Sequence, residues 1–301
     1  MKKGMRLSVL AVLALALLLL AAGCSKTEET KTIRIVHKNF TEQRLLGQML
    51  SVYLDSKGYE TEVSELGGTM LCFNALDGGD ADLYADYTGT GYMAILGQTE
   101  ILSADETYDY VKSHYEEEYG ITWLEPMGFN NTYILSVTAA TAEEYNLKTT
   151  SDLIGISDDM VIGSDSEFAS RTDGYAGLLE AYPGLTFKEL KTMDQGLTYQ
   201  ALANGELGVN VSYATDGRIA KFNLVNLEDD AHFFPPYYCA PIMKQTFADE
   251  NPGVVEALNA LKGLWSDEDM QKYNLLVDDG GDVREVATQM LTEAGLIEQA
   301  S

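Results

Sequence analysis

From residue 32 onward, short apolar runs alternate with longer segments in which apolar residues recur every three or four positions. Thr32-Ile33-Arg34-Ile35-Val36 has the β-rich run of a strand, and Asn39-Phe40-Thr41 after it supplies N-cap candidates. Leu45, Leu46, Met49, Leu50, Tyr53 and Leu54 then fall at the helical period, up to a stop near Gly58. Thr61 to Leu66 predicts a second strand. Gly67-Gly68-Thr69 opens a helix through Leu71 and Ala75-Leu76 that Gly78-Gly79 ends. Asp82-Leu83-Tyr84 is a third short strand, leading into Tyr87-Thr88-Gly89-Thr90-Gly91.

The alternation then repeats. Strands are predicted at Met160 to Gly163, Phe187 to Leu190 and Leu207 to Val211, with helices at Asp173 to Tyr182 and Gln195 to Ala203 between them. Three helical stretches close the chain: Pro252 to Trp265, Ser266 to Leu276 and Asp282 to Leu296. The last carries Val283, Val286, Ala287, Met290, Leu291 and Ala294 on one face. Strand–helix alternation implies open, mostly parallel α/β sheets, and its two stretches suggest two αβ lobes. In such sheets ligands sit beyond the carboxyl ends of the strands, and a cleft between lobes is a favoured place for a small molecule.

The first two dozen residues follow another pattern. Lys2, Lys3 and Arg6 precede an apolar run from Val9 to Ala22 and then Gly23-Cys24-Ser25. This is the layout of a secretory signal, and the run is short of the roughly 20 residues a spanning helix needs. Leu20-Ala21-Ala22-Gly23-Cys24 resembles a bacterial lipobox, with Ala21 where leucine is commoner. Lipid attachment at Cys24, a signal peptide over 1–23 and a polar tether over 24–31 are therefore expected. The expected location is extracytoplasmic, on the cell membrane. A formal net charge of −27 excludes a basic nucleic-acid footprint. It also gives no attraction to an anionic lipid surface, and it keeps an exported protein soluble. Cys72 and Cys239 remain, either joined or as two buried thiols; no C-x-x-C pair supports a metal or redox site.

Seven segments resemble one family, the glycine betaine/choline/carnitine-binding proteins of osmoprotectant ABC importers. They are Lys38 to Gln43, Gly67-Gly68-Thr69, Asp82 to Gly91, Asn130 to Tyr133, Arg171 to Gly174, Tyr213 to Ile219 and Phe234 to Tyr238, in the expected order over nearly the whole mature chain. The resemblance implies a type II periplasmic-binding-protein fold, α/β, with two lobes joined by two crossover strands near Tyr133 to Val137 and Phe233 to Tyr238. Lobe one would hold 32–134 plus 238–300, and lobe two 135–237. It further implies an aromatic cage of Tyr87, Tyr133, Tyr213 and Tyr237, with Tyr92, Tyr108 and Tyr238 close enough in sequence to substitute. Lys38, Thr90 and Arg171 would receive a ligand carboxylate, with Gln43 a weaker candidate.

The chemistry suits such a ligand. A trimethylammonium group has no N–H donor, so its cationic end is held by ring faces, at roughly 0.5–2 kcal/mol each. Arginine can grip a carboxylate through two N–H groups. A neutral Thr90 imposes no penalty on a zwitterion, where an acidic residue would favour choline. The implied partners are a quaternary-ammonium small molecule and an importer permease, with no cofactor, no metal and a monomeric state. Two alternatives differ in class. An amino acid on the same fold would call for a carboxylate facing its ammonium. An enzyme would need catalytic groups, yet His37, His114 and His232 lie in no nucleophile or metal motif.

Overall fold

The computed structural model describes residues 32–298; the expected signal, Cys24 and tether lie outside them. Ile33–Lys38 (β1) pairs in parallel with Thr61–Gly67 (β2) and with Leu83–Tyr87 (β3). Cys239–Lys244 (β10) returns antiparallel to β3 and pairs with Ile121–Trp123 (β4) at the edge, giving the order β2-β1-β3-β10-β4. The second sheet repeats the plan. Val161–Ser164 (β6) lies parallel to Glu189–Thr192 (β7) and to Val209–Tyr213 (β8). Tyr133–Thr138 (β5) runs antiparallel between β8 and Leu224–Leu227 (β9), giving β7-β6-β8-β5-β9. Each five-stranded sheet thus has three parallel strands, an antiparallel strand on which the chain has arrived from the other sheet, and an edge strand beyond it.

Parallel strands need cover on both faces, and the helices supply it. In Thr41–Ser56 (α1) the predicted stripe of Leu45, Leu46, Met49, Leu50, Tyr53 and Leu54 is buried in the main core. Thr69–Gly78 (α2) stops at Gly79, whose φ of 78° is the left-handed conformation glycine adopts without strain. In Val283–Glu293 (α12) the predicted face is inward at Val286, Ala287, Met290 and Leu291. Among the described residues no helix is long and apolar enough to cross a membrane.

The crossings differ from expectation. Tyr133 to Val137 belongs wholly to the second sheet, because β5 is hydrogen-bonded along its length to β8 and β9. The chain passes between the sheets just before it, at Asn130, which forms an isolated antiparallel bridge with Tyr238. The return through Phe233 to Tyr238 is irregular rather than a regular strand, since Pro235 and Pro236 lack the N–H a ladder requires. The helix expected over Pro252 to Trp265 ends at Asn259 (α10, Pro252–Asn259), and Gly263 turns the chain at φ 66°. Cys72 and Cys239 are both free and buried.

Candidate functional site

Strand ends from both sheets meet around one cavity of about 250 Å³. Lys38 ends β1, and Asn39 and Phe40 follow it; Tyr87 ends β3, with Thr90 three residues on; Asp165 follows β6; Tyr213 ends β8. Tyr133 begins β5, the antiparallel strand beside β8. Tyr237 lies in the return crossing. The volume falls somewhat below the roughly 300–1,000 Å³ of sites for drug-sized ligands, which suits a small solute.

All four tyrosines read from the sequence line this cavity, and a fifth ring joins them. Tyr87 stacks on Phe40 at 6.4 Å between centroids, and Phe40 on Tyr213 at 6.1 Å. Tyr213 lies 5.0 Å from Tyr133, and Tyr133 meets Tyr237 edge-on at 5.4 Å and 82°. The rings form one unbroken series across the two sheets. Phe40 lies in the Lys38 to Gln43 segment and in the predicted capping stretch, but sequence reasoning gave its ring no part in the cage. It does occupy the N-cap of α1, in extended backbone, but without a side-chain cap bond. A position that usually carries Ser, Thr, Asp or Asn carries a ring that reaches Tyr87 and Tyr213 instead.

Three phenols of the series each donate to a carboxylate, buried at Glu42 and Asp173 and half-buried at Asp165. Tyr87 donates to Glu42 at 2.7 Å, Tyr213 to Asp165, and Tyr237 to Asp173. Burial, reinforced by these anions, holds all three phenol pKa values well above the usual tyrosine range, so the hydroxyls stay protonated donors. The bonds fix ring orientation, and a proton shared with a carboxylate enriches the π face that would meet a cation.

Lys38, Thr90 and Arg171 line the same cavity. Lys38 is buried and donates to Asp86 at 2.7 Å, with its ammonium 5.3 Å from the Tyr87 ring centroid. It has donor capacity beyond that pair. The Arg171 fork closes on Asp173 through Nε and Nη2, so its two-pronged face is committed within the protein. Its Nη1 donates to the Thr90 hydroxyl at 3.4 Å and lies 3.9 Å from Glu167, another residue of the wall.

Gln43 is not in the cavity wall; it donates to the Ala85 carbonyl and the Tyr87 hydroxyl. Tyr92 packs edge-on against Tyr110, Tyr108 donates to the Leu124 carbonyl, and Tyr238 lies outside the lining. Sequence reasoning missed Asn131 and Asp165 as well as Phe40. For Asp165 a signal existed, because it follows a parallel strand at the N-cap of the Ser166–Ser170 helix, where ligands of such sheets collect.

Two sheets of this topology, meeting around an aromatic cavity, define a type II periplasmic-binding-protein fold and place the chain among solute-binding proteins. Residues 31–293 match the substrate binding domain of ABC-type glycine betaine transport systems, and the chain belongs to that family. It is 35% identical over 280 residues to the carnitine transport binding protein of Listeria monocytogenes, covering 90% of this chain and 91% of that one. It is 33% identical to the glycine-betaine-binding protein of Pseudomonas aeruginosa, over 93% and 92% of the two chains. A solved structure of a glycine betaine/carnitine/choline ABC transporter component superposes with a TM-score of 0.74 at 31% identity, over 88% of this chain and 99% of that one.

Proposed function

We propose that the ring series encloses the trimethylammonium head of a compatible solute such as glycine betaine, carnitine or choline. The protein then delivers that solute to the permease of an ABC importer. The observation that carries this reading is the convergence of Tyr87, Phe40, Tyr213, Tyr133 and Tyr237 on one small cavity. Such a head cannot be held by hydrogen bonds but is attracted to ring faces. Around the rings, the cations Lys38 and Arg171 are each paired with an aspartate, while Asp165 adds a further carboxylate.

In this reading the solute carboxylate is received by Arg171 Nη1, the Thr90 hydroxyl and the remaining Lys38 donors. A zwitterion is thereby accommodated without an unpaired charge. The two lobes, each built on one of the sheets and divided near Asn130 and Tyr238, close over the ligand by a hinge motion. The protein acts outside the cytoplasm, tethered through a diacylated Cys24, as a monomer and without catalytic turnover.

Isothermal titration with glycine betaine, carnitine, choline and a panel of amino acids tests the assignment. Binding of at least one quaternary-ammonium solute at micromolar or tighter affinity, with amino acids far weaker, is expected. Amino-acid binding with no response to any methylated cation would overturn it.

A further inference from the structure

Glu42 stands in the first turn of α1, against the Tyr87 hydroxyl, and is 3% exposed. Both its oxygens accept from neutral donors on separate elements. Oε1 receives the Tyr87 hydroxyl at 2.7 Å and Asn131 Nδ2 at 2.8 Å; Oε2 receives Asn274 Nδ2 at 2.9 Å. The direction of the Asn274 amide is set independently, because the same nitrogen also donates to the Thr215 carbonyl. Gln43 donates to the Tyr87 oxygen, which leaves the phenol proton for Glu42.

No cation among the described residues pairs with this carboxylate. The positive groups nearby have other anions: Lys38 has Asp86, Arg171 has Asp173, and Arg218 has Asp216 and Asp278. Burial pushes the Glu42 carboxyl above its usual range, and the bonds from Thr215, Tyr87, Asn274 and Asn131 pull it back. A buried anion that lacks a counter-charge inside the protein is stabilised when a cation arrives nearby. Two of its donors lead to the cavity. Tyr87 and Asn131 both line the wall, and the Asn131 Oδ1, buried like the rest of that side chain, has no hydrogen-bond partner.

We propose that Glu42 is the counter-anion of the bound cation, acting through the Tyr87 phenol and the Asn131 amide without touching the ligand. It is a positioning residue that sets the preference of the cavity for a charged head over a neutral head of the same shape. The inference rests on the reading of the rings as a quaternary-ammonium site, and its test separates the two.

Glycine betaine and 3,3-dimethylbutanoate differ only in nitrogen against carbon at the head, so the ratio of their affinities measures the value of the positive charge. In the purified protein betaine is expected to bind well and the carbon isostere weakly. Glu42→Gln keeps the shape and, with its amide oxygen towards Tyr87 and Asn131, those two contacts; it removes the charge and gives up the acceptor for Asn274 Nδ2. It is expected to weaken betaine at least about tenfold while leaving the isostere unchanged or tighter, so the ratio collapses. Tyr87→Phe, which keeps the ring and cuts its link to Glu42, is expected to lower the ratio in the same direction, and it carries the test if E42Q does not fold. An equal loss for both ligands, or an unchanged ratio in the variants, would overturn the role of Glu42 alone. A wild-type protein that binds neither betaine nor any methylated cation would overturn the ring assignment itself.

Discussion

Tyr133 and Tyr213 are direct partners across the β5–β8 antiparallel ladder. Residues opposite each other in such a ladder project from the same face, with side chains close enough to touch. Their rings accordingly meet at 5.0 Å, and one pairing register builds two adjoining walls. Replacing either by alanine is expected to weaken betaine by up to roughly 30-fold by calorimetry, from the loss of a cation–π contact worth up to about 2 kcal/mol. Tyr213→Phe keeps the wall and loses only the bond to Asp165, so a smaller loss is expected.

Gly89 permits the approach of Tyr237. A β-carbon there would lie 2.7 Å from two carbons of that ring and 2.8 Å from the Pro236 carbonyl oxygen. Gly89→Ala must therefore displace the ring or the crossing. It is expected to lower stability by about 1–3 kcal/mol in denaturant unfolding and to weaken ligand binding beyond that of a surface control.

Thr90→Asp would set a carboxylate beside Arg171 and the expected position of the ligand carboxylate. Affinity for glycine betaine is expected to fall and the choline-to-betaine affinity ratio to rise, as read by parallel titrations. Retained betaine preference would show that the solute carboxylate lies elsewhere.

Glu293 braces the last two helices, accepting from Lys272 Nζ and the Tyr273 hydroxyl, which lie in the helix Asp267–Asp278. Hydrogen bonds from Lys272, Gln289 and Tyr273 hold its carboxyl down from 4.5 to about 2. The folded pKa is depressed, so the stabilisation is present above 4.5 and is lost as pH falls towards 2. Glu293→Gln is therefore expected to lower the unfolding temperature at pH 6 and to make little difference at pH 2.

Burial drives the Cys72 thiol up to about 12 and also holds that of Cys239 well above the usual thiol range. Neither is a thiolate at pH 8, and both are inaccessible. Ellman's reagent is expected to find no reaction at these two positions in the native protein and full reaction at both in guanidinium.

The fold was legible where side-chain period and burial agree. The α1 stripe and the α12 face are both inward as patterned, and Gly78-Gly79 stops α2. It was less legible at β7, predicted two residues early, because an edge strand with little buried surface gives a weak apolar signal. The four tyrosines came from motifs, whose order along the chain carries information that single residues do not. Phe40 was hidden because its position suggests a cap, and only the tertiary arrangement of Tyr87 and Tyr213 gives its ring a purpose. The engagement of Arg171 with Asp173 was also invisible. Only Thr172 separates them, and the loop conformation alone decides whether the guanidinium turns inward to its neighbour or outward to a solute.

Tyr237 is at once a wall of the cavity and part of the return crossing. Its N–H donates to Asn130 Oδ1 and its carbonyl accepts from the Asn131 N–H, so the ring is mounted on the paired segments about which the two sheets would turn. Any rotation there must re-aim the ring, and any solute that grips the ring resists that rotation. Under the proposed hinge closure, capture and shutting would be a single mechanical event, and release would require the same few peptide units to twist back.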